Sequence, residues 1–276
     1  MPAADRPNRK RPTPPPGVAP PMERILVPLD GSGLAEGAIP IAARLAHACG
    51  AAITLLHVIE KDAPSSIHGE PHLATVAAAE AYLSALTPRL ASSGGMVEHH
   101  VHEVPVGDVA RSIADHANEQ RSDVVVVSTH GAGDLRRGLW GSIAQRVLQL
   151  SHRPVLLVRT PTAPPVLRPF APKTIMVPLD GTVAAEAALP LAARLARALG
   201  AQLRLVMVVP TLSTGTGPGQ QRATFLPGTT RALLDVEETQ AADYLQGLAE
   251  SVEATGVPCV AEIRRGAPVA ELAADD

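Results

Sequence analysis

The sequence repeats itself at an interval of 150 residues, and this repeat constrains the fold more than any other feature. About 20 of the 36 positions that begin at Ile25 are identical to the residues 150 positions later. Residues 25–31 return as residues 175–181, and the pair Tyr82-Leu83 returns later as Tyr244-Leu245. Self-similarity on this scale indicates two copies of one domain in tandem.

The repeat divides the chain into a tail, two copies and a linker. Residues 1–23 are rich in proline, carry a basic cluster and lack an apolar segment, which predicts a disordered tail rather than a secretory signal. The first copy occupies residues 24–160, a proline-rich linker residues 161–172, and the second copy residues 173–276. The second copy has no counterpart of residues 124–159. We therefore predict that it is incomplete and leaves a sheet edge open beside its first strand.

The first copy alternates buried-strand patterns with helical periodicity. Strands are predicted at residues 25–30, 52–59, 97–104, 124–129 and 154–159, and helices at residues 34–49, 73–90, 108–119 and 142–150. This order predicts an α/β fold with a mostly parallel five-stranded sheet and right-handed crossovers. Ligands of such sheets bind where the strand order reverses, so the loops after the first and fourth strands should share one crevice.

A glycine-rich loop, residues 128–142, follows the fourth predicted strand and ends where a helix begins. Free backbone N–H groups and the positive end of a helix dipole meet there, which favours an anion, most often a phosphate. Asp30 ends the first strand, where its carboxylate could accept a ribose hydroxyl or form an Asx turn. Asp180 repeats this residue without such a loop beside it, so we predict a turn residue there.

Composition excludes several classes of function. A net charge of −3 creates no field that would recruit nucleic acid, and no apolar run is long enough to span a bilayer. The two cysteines, Cys49 and Cys259, fit neither a metal nor a redox spacing and indicate reduced thiols. We therefore expect a cytoplasmic protein without a nucleic-acid or membrane partner.

Three histidines in the third predicted strand could ligate a metal ion. Strand alternation places His100 and His102 on one face of the sheet and His99 on the other. No carboxylate or cysteine completes a recognisable ligand set around them. We predict that the three histidines are polar side chains on an edge strand and that they form no metal site.

With these motifs in view, the chain resembles the universal stress protein family in its tandem form. The nucleotide signature of that family is G-x-x-G, nine residues, then G-S/T. Here the signature falls on Ser128, Gly131, Gly141 and Ser142, with serine in place of the first glycine. The resemblance extends to residues 27–32, 56–59 and 153–159.

The resemblance implies a flavodoxin-like sheet that binds ATP or a related adenine nucleotide (ADP or AMP), with a divalent ion such as Mg²⁺ able to bridge the phosphates. It implies no catalytic residue. Carried over position by position, the adenosine side is lined by Pro28, Leu29 and Asp30. Val58 contacts the base, and Val127 and Ser128 border the ribose and phosphates. The phosphate chain is cradled by Gly131, Gly141, Ser142 and Ile143.

Three hypotheses about function follow. The preferred one is a regulatory adenine-nucleotide-binding protein of the stress response. The second is a slow ATPase or phosphotransfer enzyme, for which the loop offers only His130, Arg136 and Arg137 near a γ-phosphate. The third is a dimerisation module that binds no nucleotide and pairs along residues 154–159. A homodimer, or pairing of the two copies within the chain, is the expected assembly.

Overall fold

The structure is a computed structural model that describes residues 21–63, 65–67, 70–91, 95–130, 142–160, 170–211 and 227–274. The chain divides into two compact units, of which one is Pro21–Ala171 and the other contains Pro172–Asp276. Each unit has a parallel sheet of its own. Within the described residues, no helix is both long and apolar enough to cross a membrane.

The first unit contains a five-stranded parallel sheet, as the sequence predicts. Its strands are β1 (Arg24–Pro28), β2 (Ala52–Glu60), β5 (Val97–Val106), β6 (Val124–His130) and β7 (Val155–Thr160). They lie in the order β5-β2-β1-β6-β7, so the order reverses between β1 and β6. A short antiparallel pair that the sequence did not reveal, β3 (Ser66–Ile67) and β4 (Glu70–Pro71), follows β2.

In the described part of this unit, the helices are α1 (Gly33–Glu36), α2 (Ile39–Cys49), α3 (Val76–Ala91), α4 (Val109–Glu119) and α5 (Ser142–Leu150). The prediction of one helix over residues 34–49 is wrong, because Pro40 lacks an N–H and fits only the first turn of a new helix. Gly50 ends α2 at a φ of 68°, as predicted. Helix α3 begins later than residue 73 because the Thr75 hydroxyl accepts from the N–H of Ala78.

Helices cover both faces of the five-stranded sheet. Helices α4 and α5 pack on one face, against a buried cluster that includes Leu26, Leu56 and Val125. Alternation points Ile25 and Val27 to the opposite face, and both are fully buried. Burial on both faces explains why these strands are almost continuously apolar.

The second unit contains a three-stranded parallel sheet in the order β10-β9-β8. Its strands are β8 (Thr174–Leu179), β9 (Gln202–Val209) and β10 (Cys259–Arg265). Its helices are α6 (Val183–Glu186), α7 (Leu189–Leu199), α8 (Pro227–Glu253) and α9 (Pro268–Ala273). In the described part of this unit β8 lies at the sheet edge, in agreement with the prediction of an open edge.

Candidate functional site

A pocket of about 150 Å³ opens at the carboxyl ends of β1, β2 and β6, where the strand order reverses. The first turns of α4 and α5 and the segment that precedes α3 complete its walls. Eight of the ten site residues that the resemblance implies line this pocket: Pro28, Leu29, Asp30, Val58, Val127, Ser128, Ser142 and Ile143. The other two, Gly131 and Gly141, lie outside the described residues.

Asp30 forms an Asx turn at the edge of the pocket. Its Oδ1 atom accepts from the backbone N–H of Ser32 at 2.9 Å and from the Ser32 hydroxyl at 2.6 Å. Ser32 in turn caps α1, because its Oγ accepts from the N–H of Ala35. The turn and the pocket wall are therefore built by the same carboxyl group. The Asx turn that the sequence offered as the alternative to a ribose contact is therefore present. Asp30 also lines the pocket.

Asp180 repeats this turn in the second unit. Its Oδ1 accepts from the N–H of Thr182 at 3.0 Å and from the Thr182 hydroxyl at 2.7 Å. The two hydrogen bonds from Thr182 lower the pKa of the Asp180 carboxyl, because they favour its charged form. The prediction that Asp180 is a turn residue is confirmed.

His57, on β2, holds the floor of the pocket together. The ring is 2% exposed, with Nδ1 2.8 Å from the carbonyl oxygen of Leu29 and Nε2 3.0 Å from that of Leu73. One histidine thus ties the end of β1 to the segment that leads into α3. Because both ring nitrogens face protein carbonyl groups, we assign His57 a structural role.

Glu60 and His72 form a second polar wall. Glu60 is the last residue of β2, and His72 follows β4. The Nε2 atom of His72 lies 3.6 Å from Oε2 of Glu60, and the exposed fractions of the two side chains are 4% and 36%. The other ring nitrogen of His72, Nδ1, is buried and has no hydrogen-bond partner among the described residues.

A half-buried tyrosine lies beside the turn that Asp30 forms. The hydroxyl of Tyr82 donates to Oε1 of Glu36 at 3.1 Å. Burial and the Glu36 carboxylate raise the pKa of Tyr82 well above its usual value, and the charges of Asp30 and Glu70 act in the same direction. The phenol therefore stays protonated and donates. The second unit repeats the contact from Tyr244 to Glu186 at 2.8 Å, where burial and Glu186 raise the pKa of Tyr244 to about 12.

The other end of the pocket is formed by the start of α5, where Ser142 and Ile143 are exposed. The first backbone N–H groups of a helix carry no intrahelical bond and a partial positive charge. Asp108 couples α5 to α4: its Oδ1 caps α4 by accepting from the N–H of Arg111, and its Oδ2 accepts from Arg146 at 2.7 Å. The pocket is thus acidic beside Asp30 and Glu60 and electropositive at the start of α5.

Sequence reasoning did not assign eight of the residues that line the pocket: Ala35, Leu56, His57, Glu60, His72, Val109, Ile113 and Ala144. Strand alternation from Val58 could have found Glu60, which points to the same side of the sheet. No sequence signal could have found His72, because its position depends on the unpredicted pair of β3 and β4.

The histidines of β5 divide between the two faces of the sheet as predicted. His99 contacts Thr87 and Glu80 of α3, each at 3.1 Å. His100 and His102 face His116 of α4, with ring centroids 5.1 and 5.0 Å apart. Among the described residues, no group of side chains is arranged to hold a metal ion.

A doubly wound parallel sheet with a pocket at its reversal point defines a flavodoxin-like α/β protein with a site for a small ligand. The model described as the universal stress protein family matches residues 22–159 and 172–274. The chain therefore belongs to the universal stress protein family, with one match in each unit.

Individual proteins are similar to this chain over half or more of its length. A universal stress protein of Methanocaldococcus jannaschii is 29% identical over 143 residues, which cover 50% of this chain and 83% of the relative. The crystal structure of a universal stress protein from Archaeoglobus fulgidus shares the fold, with a TM-score of 0.65, 18% identity and coverage of 92% of this chain and 82% of that chain. A universal stress protein solved in complex with cAMP covers 50% of this chain and 98% of its own, with 20% identity and a TM-score of 0.40.

Proposed function

We propose that the first unit binds an adenine nucleotide and that binding, rather than turnover, is its output in a stress response. One observation carries the proposal: the pocket at the reversal of the sheet gathers eight of the residues that the resemblance implies, from β1, β2, β6 and the start of α5. A site between β1 and β6 is where doubly wound sheets bind their ligands.

The polarity of the pocket supports one orientation of the nucleotide. Asp30 and Glu60 can accept hydrogen bonds from ribose hydroxyls or a base amino group, and their charges repel phosphate. The start of α5 attracts phosphate through its N–H groups. We therefore place the nucleoside beside β1 and β2 and the phosphates, with Mg²⁺ where it bridges them, toward Ser142. The roles of Gly131 and Gly141 in cradling the phosphates stay predictions.

The repeat supplies a matched test of this site. Asp30→Asn keeps the turn oxygen and removes the charge that faces the pocket, while Asp180→Asn makes the same change in the second unit. We expect Asp30→Asn to weaken nucleotide binding about tenfold or more, since hydrogen bonds to charged groups contribute roughly 1.5–3 kcal/mol. Asp180→Asn should leave the affinity unchanged. Isothermal titration with AMP, ADP and ATP, with and without Mg²⁺, measures both effects.

Two results would count against the proposal. Equal weakening by both substitutions would show that the site is not the pocket of the first unit. Absence of binding heat for all three nucleotides in the unmodified protein would favour the dimerisation module, for which β7 offers a sheet edge.

The enzyme hypothesis is tested separately by phosphate release from ATP. Gly141→Asp places a negative charge in the expected phosphate site and serves as the inactive control. We expect no turnover above this control; turnover above it would establish the ATPase. We place the protein in the cytoplasm, where the thiols of Cys49 and Cys259 would stay reduced. A homodimer or pairing of the two copies stays a prediction.

A further inference from the structure

His72 lines the pocket, and the described protein does not use the hydrogen-bonding capacity of its buried Nδ1 atom. The side chain is 4% exposed, yet its Nδ1 atom has no hydrogen-bond partner among the described residues. Buried polar atoms without a partner are rare in native proteins, and each calls for an explanation. Because His72 lines the pocket, a bound ligand can supply the missing partner.

The neighbours of His72 determine what kind of partner fits. Oε2 of Glu60 lies 3.6 Å from Nε2, and the carboxylate charge favours the tautomer of the neutral ring that carries its proton on Nε2. The Nδ1 atom then presents a lone pair and accepts a hydrogen bond. His57, whose ring centroid lies 6.4 Å away, cannot take this role, because both of its nitrogens face backbone carbonyl groups.

The position of Glu60 places this acceptor at the base end of the site. Glu60 lies two residues beyond Val58 on β2, and both residues line the pocket. The 6-amino group of adenine donates hydrogen bonds, whereas the 6-oxo group of hypoxanthine or guanine only accepts them. A lone pair at Nδ1 therefore matches an amino group and repels an oxo group.

We propose that His72, oriented by Glu60, is a specificity-determining residue that selects purine nucleotides with an amino group at C6 over those with an oxo group. This inference rests on the proposed binding of a nucleotide in the first unit. It adds a residue that the resemblance does not name, as the group that distinguishes the amino from the oxo group at C6.

The experiment compares AMP with IMP, which differ at C6, by isothermal titration of the full chain. The unmodified protein should bind AMP about tenfold more tightly than IMP, the ratio that corresponds to one hydrogen bond of about 1.4 kcal/mol. His72→Leu should reduce this preference to within about twofold. His72→Asn, whose amide oxygen lies near the former Nδ1, should recover part of it. His152→Leu, at an exposed position before β7, is the control and should keep the preference.

The outcomes separate this inference from the function on which it rests. If AMP binds to the unmodified protein and His72→Leu keeps the preference for AMP, the inference is wrong and the proposed function stands. A change confined to the preference for AMP over 2′-deoxy-AMP would also overturn it, because His72 would then contact the ribose. Failure of the unmodified protein to bind any nucleotide would remove the proposed function itself. Thermal unfolding without ligand identifies a variant that does not fold. If His72→Leu does not fold, the preference of His72→Asn for AMP over IMP tests the inference.

Discussion

At the scale of single residues, the repeat makes the second unit a control for the first. Gly37 and Ala187 occupy the same place in the two copies, each directly after the short first helix. Their backbones are nearly identical, with φ of −58° at both, so glycine is not required for its conformational freedom. The difference lies in the neighbours: a Cβ atom at Gly37 would overlap Oγ1 and Cγ2 of Thr160 on β7. Ala187 is exposed.

This comparison yields a prediction for stability. Gly37→Ala should lower the free energy of unfolding by about 1–3 kcal/mol, because the side chain of Thr160 is only 6% exposed and cannot move aside without disturbing its neighbours. Ala187→Gly should change it by less than about 1 kcal/mol. Urea titration of the full chain, followed by circular dichroism, measures both. Equal midpoints for Gly37→Ala and the unmodified protein would show that β7 does not approach α1 as described.

At the scale of elements, β5 and α4 meet through a cluster of histidines. Partial desolvation of the ring and the neighbouring His116 and His102 lower the pKa of His100 below its usual 6.5, whereas Glu80 and Glu103 act in the opposite direction. The folded state therefore resists protonation of His100 more than the unfolded chain does. By linkage, the stability that this group contributes is present above pH 6.5 and is lost as the pH falls through its lower folded pKa.

We therefore predict that acid weakens the first unit partly through His100. His100→Gln should reduce the difference in unfolding midpoint between pH 7.5 and pH 5.5, because the substituted side chain does not titrate. His152→Gln changes an exposed histidine and should leave the difference as it is. Urea titrations at the two pH values compare the three proteins. If His100→Gln shows the same pH dependence as the unmodified protein, the cluster does not contribute to acid sensitivity.

At the scale of the whole molecule, the two units share a sequence pattern and differ at the site. The pocket is formed by β1, β2, β6, α4 and α5. The described part of the second unit repeats the first two of these strands as β8 and β9, and it holds no counterpart of β6 or α5. The edge of β8 in that unit corresponds to the side of β1 on which the pocket opens.

The proposed function thus predicts that a nucleotide acts on one unit only. A ligand stabilises the segments that it holds by mass action, so millimolar AMP should slow hydrogen exchange in β1, β6 and the start of α5. Exchange in β8 and β9 should stay the same. Mass spectrometry of the full chain with and without AMP reports both units in one experiment. Comparable protection in β8 and β9 would contradict a single site in the first unit.

The sequence alone determined the α/β class, the five strands of the first unit, the two copies and half of the residues around the pocket. These features depend on local signals, such as apolar strands and a glycine after a helix, and on the sequence pattern of the family. Eight of the ten implied residues meet at the pocket because the end of every parallel strand points to the same edge of the sheet.

Only the tertiary structure decided which groups face one another across the chain. Nothing local to Gly37 shows that Thr160 lies against it, and nothing local to His72 shows that Glu60 orients its ring. These contacts join residues 123 and 12 positions apart, through the crossing of strands and the unpredicted pair of β3 and β4. The physical reason is that burial and hydrogen-bond partners depend on distances in space. The periodicity of apolar residues along the sequence indicates only which face of a single helix or strand is buried.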